Sequence, residues 1–157
     1  MSERGVSKAV EIVGLVAIIL SLGLVAWELK QANSLARATV HAEINQQLND
    51  LNLETAANGE FAEILSVLAD ADREHSAIER ERALGLAFFL RNSWINAERA
   101  YMEGWISENK FQAQLNDIDW TVKIWPGLRP YMREITEFQT KNREMTIVEA
   151  RMLEVTR

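Results

Sequence analysis

The chain has 157 residues, 48% of them hydrophobic and 25% charged, with a net charge of −6. That is length for one ordinary domain and a folding composition, and the acidic balance argues against a broad nucleic-acid-binding surface. Cysteine is absent, which excludes disulfides, Cys-ligated zinc, iron–sulfur clusters and thiol catalysis in this chain.

Only two prolines and seven glycines occur, and β-branched runs are rare beyond the first thirty residues, so the expected fold class is all-α. The first element is the apolar stretch around "VGLVAIILSLGLVAWELKQ", residues Val13 to Gln31. The sixteen residues from Ile12 to Trp27 carry no charge, and Ser21 is the one polar side chain among them. As a helix they span roughly 24 Å against a hydrocarbon core of about 30 Å. Ala9 and Val10 extend the stretch on one side. Glu28 and Lys30 can reach headgroups on the other, with Trp27 at the interface. The reading is a transmembrane helix. The two alternatives are a core helix of a soluble domain, which should carry a polar face, and a cleaved signal peptide. A signal peptide needs small residues at the cut, and Leu24 and Ala26 before Trp27 fit poorly. Arg4 and Lys8 on one side nearly balance Lys30 and Arg37 on the other, so basic residues give little orientation. Ala17 and Ser21 form a single small-xxx-small step, which permits helix contact without specifying it.

Apolar residues continue at Leu29, Ala32, Leu35, Val40, Ile44, Leu48 and Leu51, with no Gly or Pro between Leu24 and Asn58. One helix is therefore expected from about Lys8 to Ala57, stopped by Asn58-Gly59 in the left-handed conformation of a helix end. A short helix, Glu60 to Ala69, precedes a polar loop, Asp70 to Ser76. Ser76 and Glu79 form a capping box that opens a helix to about Glu103, closed by Gly104. It shows two apolar stripes. One is Ala83, Ala87, Leu90, Trp94, Ala97 and Tyr101; the other is Leu84, Phe88, Ile95 and Met102. Two stripes predict a central helix buried on more than one side. Ser107 is expected to cap a helix from Glu108 to Ile124, broken by "WPGLRP". A helix from Leu128 to Asn142 follows, and Thr146 and Glu149 form a second capping box before a last helix to Val155. The expected organisation is residues 1–28 as tail and transmembrane helix, 29–58 as a helical extension packed with a bundle, and 59–157 as that helical bundle.

The junction Trp27 to Arg37 ("WELKQANSLAR") and the segment Asn96 to Glu108, with its "AYMEG", resemble a group of bacterial membrane proteins of unknown function. In these, one N-terminal span precedes a helical domain. Their junction often reads "IRQN", where this chain has Leu29-Lys30-Gln31-Ala32-Asn33. The resemblance implies the bacterial inner membrane and a cytoplasmic C-terminal domain. It implies no activity and no catalytic residue.

Chemistry-bearing patterns are sparse. His41 and His75 are the only histidines and lie in different elements, without metal-ligand spacing. Neither falls within the span, so a pigment in the bilayer is not expected. Arg91 and Glu98, on the central helix, are about 10.5 Å apart along its axis, too far to pair; each needs a partner from elsewhere. The default for both is structural. The aromatics Trp94, Tyr101, Trp105, Trp120, Trp125 and Tyr131 have core spacing, with a ligand groove near Trp94 and Tyr101 as the alternative. Trp120 and Trp125 beside Lys123, Arg129 and Arg133 make a basic aromatic patch in an acidic chain.

The expected function is thus a single-pass membrane protein, not an enzyme, acting by protein–protein contact as a self-assembling scaffold or an accessory subunit. Its partners would be membrane lipid and further copies or other membrane subunits, without nucleic acid or cofactor. The candidate interaction surface is Leu35, Val40, Ile44, Leu48, Trp120, Lys123, Trp125, Arg129 and Arg133. The alternative is a membrane-anchored module binding a small apolar or lipid ligand.

Overall fold

A computed structural model describes the backbone from residue 3 onward, and side chains from residue 11 onward except at positions 41, 45, 47, 48 and 52. The side chains of His41 and Leu48, both singled out above, lie outside the described residues. Every regular element among the described residues is helical: α1 (Glu3–Ala57), α2 (Gly59–Leu68), α3 (Ala77–Met102), α4 (Glu108–Ile124), a 3-10 turn (Pro126–Leu128), α5 (Arg129–Thr140) and α6 (Ile147–Val155). The chain divides into two compact units, Met1–Thr39 and Val40–Arg157, with the division inside α1.

In the first unit the large apolar side chains from Ile12 to Leu29 are all exposed. The helix is long and apolar enough to cross a membrane, and its most apolar eighteen-residue window has a mean hydropathy of 2.4 with none of it buried. Ser21 turns its hydroxyl back to the Ala17 carbonyl at 2.8 Å, so the one polar side chain of the stretch is satisfied by its own helix. Leu35 is exposed as well.

The second unit begins with the last turns of α1. The break after Ala57 differs from the expected left-handed stop. Asn58 is extended, at φ −109° and ψ 106°, and its side chain accepts from the amides of Glu60 and Phe61 at 3.1 and 3.3 Å. α1 ends at Ala57 as expected, with the Asn58 amide donating to the Glu54 carbonyl at 2.9 Å, but Asn58 also caps α2, and Gly59 is the first residue of the new helix. Ser76 and Glu79 form the expected capping box at the start of α3. Its far end closes at Gly104, φ +72°, the one positive φ among the described residues. The Trp105 amide reaches the Ala100 carbonyl at 2.8 Å and the Gly104 amide reaches Tyr101 at 2.9 Å, a Schellman closure that needs a residue tolerant of the left-handed region. Ser107 occupies the N-cap position of α4, but its side chain makes no capping bond.

α3 is the central element, in contact with α2, α4, α5 and α6. Ala83, Ala87 and Ala97 on it are fully shielded and let neighbouring helices approach, while Trp94 fills the space between them. Leu68, Ile118, Leu128, Met132, Val148 and Met152 complete the shared core. The turn after α4 is pressed against the end of α2. A Cβ on Gly127 would lie 2.9 Å from the Leu68 carbonyl oxygen and 3.0 Å from that of Asp70, so only glycine fits. The second stripe expected on α3 is buried in part. Leu84 and Ile95 pack half-buried against the core, while Met102 is 71% exposed and Phe88 is exposed. Arg91 and Glu98, at helical spacing among them, are buried through polar contacts.

Candidate functional site

α6 is held to α3 by charge. Both carboxylate oxygens of Glu98 accept from the first amides of α6, from Ile147 at 2.9 Å and from Val148 at 3.0 Å. These amides have no partner within their own helix, and a carboxylate there also meets the positive end of the helix dipole. At the next residue of the same turn, Glu149 is fully buried and bonded to two guanidiniums, Arg91 from α3 and Arg143 from the loop before α6. The same carboxylate accepts from the Thr146 amide at 3.0 Å and completes the capping box. Burial pushes the Glu149 carboxyl up; the bonds from Arg143, the Thr146 amide and Arg91 outweigh it and bring it down to about 2. Arg143 is correspondingly raised by its bond to Glu149. Arg91 also donates to the Asn92 side chain at 3.2 Å, and its Nε is buried without a partner. Arg91 and Glu98 thus do not meet each other. Each finds the separate partner that their spacing required, and both serve to seat α6.

The second feature is a groove of about 510 Å³ along the last turns of α1, α2 and α3. Leu51, Phe61, Ile64, Leu86 and Phe89 form its apolar walls, and Asp50, Glu54 and Glu60 lie at it with Arg82. Arg82 bonds Glu60 at 2.9 Å, an exposed pair between α3 and α2 that contributes little by itself. Gly85 lines the groove from α3, and a Cβ there would meet nothing within 4 Å.

Of the candidate interaction residues, Val40 and Ile44 pack half-buried against the core, together with Leu51. Trp120 is exposed, and the Lys123 ammonium sits 5.7 Å from its ring centroid, a cation–π contact. Trp125 is half-buried at the end of α4, Arg129 is exposed and Arg133 half-buried on α5. No ion pair among the described residues engages Lys123, Arg129 or Arg133. Trp94 is fully shielded and donates its indole N–H to Asp117 at 2.9 Å. Tyr101 stacks on Phe111 with centroids 4.7 Å apart. Both are core residues rather than walls of a cleft. His75 lies 2.5 Å from the Tyr131 hydroxyl through Nδ1 and stacks on that ring, and its Nε2 is buried without a partner. Burial raises the Tyr131 pKa. No group of three His, Asp or Glu side chains among the described residues is arranged to hold a metal ion.

The groove was not legible in the sequence, because its walls come from three helices. Gly85, a helix-interior glycine with no backbone need for one, is the nearest signal. Comparison of the chain with protein-family models, curated proteins and solved structures finds no match.

Proposed function

We propose that this chain is a single-pass membrane protein whose helical bundle works by protein–protein contact, as a self-assembling scaffold or an accessory subunit of a membrane complex. Two exposures support the reading. Ten large apolar side chains from Ile12 to Val25 are 49–69% exposed. At about 1.5–3 kcal/mol for burying each such side chain, leaving them in water forgoes on the order of 10 kcal/mol, comparable to the stability of a whole domain. Lipid is the solvent that recovers it. The observation that carries the contact reading is the groove lined by Leu51, Phe61, Ile64, Leu86 and Phe89. An apolar cleft with acidic residues at its edge suits an amphipathic helix with basic flanks, laid in by its apolar face.

Gly85→Leu provides the test. It adds bulk to the groove at a position where a Cβ meets nothing, so the core is left alone. Photo-crosslinking from position 89 in native membranes reads the contact. A crosslinked polypeptide, abolished by Gly85→Leu, supports the proposal. A crosslink only to lipid supports instead a second reading, a membrane-anchored module for an apolar ligand. The groove volume also favours that reading, since it lies within the roughly 300–1,000 Å³ usual for small-molecule sites.

A further inference from the structure

On the side of α3 that meets α6 lies a recess of about 550 Å³ lined by Arg91, Asn92, Ile95, Asn96, Arg99, Arg143 and Thr146. Three of its seven lining residues are arginines and none is an acid, in a chain of net charge −6. The nearest carboxylates, Glu149 and Glu98, offset it only in part and leave one of its three positive charges over. Glu149 serves both Arg91 and Arg143, so that trio retains one positive charge. Glu98 has both oxygens turned to the α6 backbone. Arg99 is in no ion pair among the described residues, and with Asn96 it also borders an adjoining recess lined by Glu43 and Glu103. Gathering like charges costs energy unless something opposes them.

The donors needed to hold an oxyanion are present. Asn92 spends its carbonyl oxygen on Arg91, which leaves its amide hydrogens free. Thr146 spends its hydroxyl oxygen on the Glu149 amide, which leaves its hydroxyl proton free. Arg91 is 94% withdrawn from solvent, being 6% exposed, and its Nε lacks a partner. This is a buried cation that its own protein does not fully satisfy.

We infer that this recess binds a phosphate-type oxyanion, with Arg99 and Arg143 as the accessible charges and Arg91 as the fixed base of the site. The same chemistry belongs to a free phosphate and to the headgroup of an anionic lipid. Phosphate also stabilises proteins by exclusion from their surface, so the reading depends on one side chain rather than on salt. The experiment uses the full chain in nanodiscs and follows its thermal midpoint by Trp fluorescence. One arm adds inorganic phosphate at low millimolar concentration to phosphatidylcholine discs, with chloride at matched ionic strength as reference. The other uses discs containing phosphatidic acid without free phosphate. The expected result is a rise of about 5 °C near saturation in one arm or the other, absent in Arg99→Gln and retained in Arg129→Gln. A rise in the first arm identifies a free oxyanion, and a rise confined to the second identifies the lipid headgroup. No rise in either arm, or an equal rise in Arg99→Gln, overturns the inference.

Discussion

Replacing Glu149 with Gln removes one charge from the most enclosed ionic contact among the described residues. The wild-type carboxylate is fully buried and receives bonds from Arg91, Arg143 and the Thr146 amide. In Glu149→Gln the Arg91 guanidinium stays buried and faces an amide that returns no charge. Breaking a buried pair in this way costs about 3–5 kcal/mol. The same contacts hold the carboxyl down to about 2 in the folded chain, against 4.5 for the free group. At about 1.4 kcal/mol per pH unit this is worth roughly 3 kcal/mol at neutral pH. The folded value is the lower one, so the contribution is complete above about pH 4.5 and is lost as pH falls towards 2. Urea unfolding of the full chain in detergent, followed by Trp fluorescence at a series of pH values, reads both effects. The variant should lose about 3 kcal/mol or more at pH 7 and show a flatter acid limb. Adding Arg91→Met should recover part of the loss, because the stranded charge is then gone. A Glu149→Gln variant within about 1 kcal/mol of wild type, with an unchanged acid limb, refutes the claim that this cluster seats α6.

Glu98→Ala strips the first α6 amides of their acceptor and should destabilise the fold by about 1–3 kcal/mol, with faster hydrogen exchange at the buried Val148 amide as the local readout. Gly127→Ala forces a Cβ against the Leu68 and Asp70 carbonyls, and a loss of about 1–3 kcal/mol is expected in the same urea titration. Trp94→Phe removes the indole N–H that Asp117 accepts and leaves space in the core; a loss of about 1–3 kcal/mol is expected, with the contribution of a buried Trp missing from the emission spectrum.

Local chemistry was legible where it is written in adjacent residues. The capping boxes at Ser76 and Thr146, the turn at Pro126 and the closure at Gly104 occur as the sequence implied, because each depends on side chains within one turn of the backbone. α1 stops at Ala57 as read, but Asn58 is extended rather than left-handed and also starts α2, since the same residue type serves both ends of a helix. Ser107 stands where a cap belongs and does not bond. The second face of α3 was legible in part. The spacing of Arg91 and Glu98 said that each needs a partner from elsewhere, but the partners lie 58 and 49 residues away and periodicity does not name them. The groove and the arginine recess are likewise products of packing. Neither Gly85 nor Arg99 has a neighbour in sequence that announces its role.

A chain held in a membrane and working through contact with other polypeptides should come out of native membranes in company. Gentle extraction with a C-terminal tag, followed by the mass and composition of the particle, is the decisive measurement. The expected particle is either an integer multiple of the 17.9 kDa chain or contains other polypeptides in fixed ratio. A lone monomer, or a chain recovered in the aqueous fraction without detergent, would contradict it.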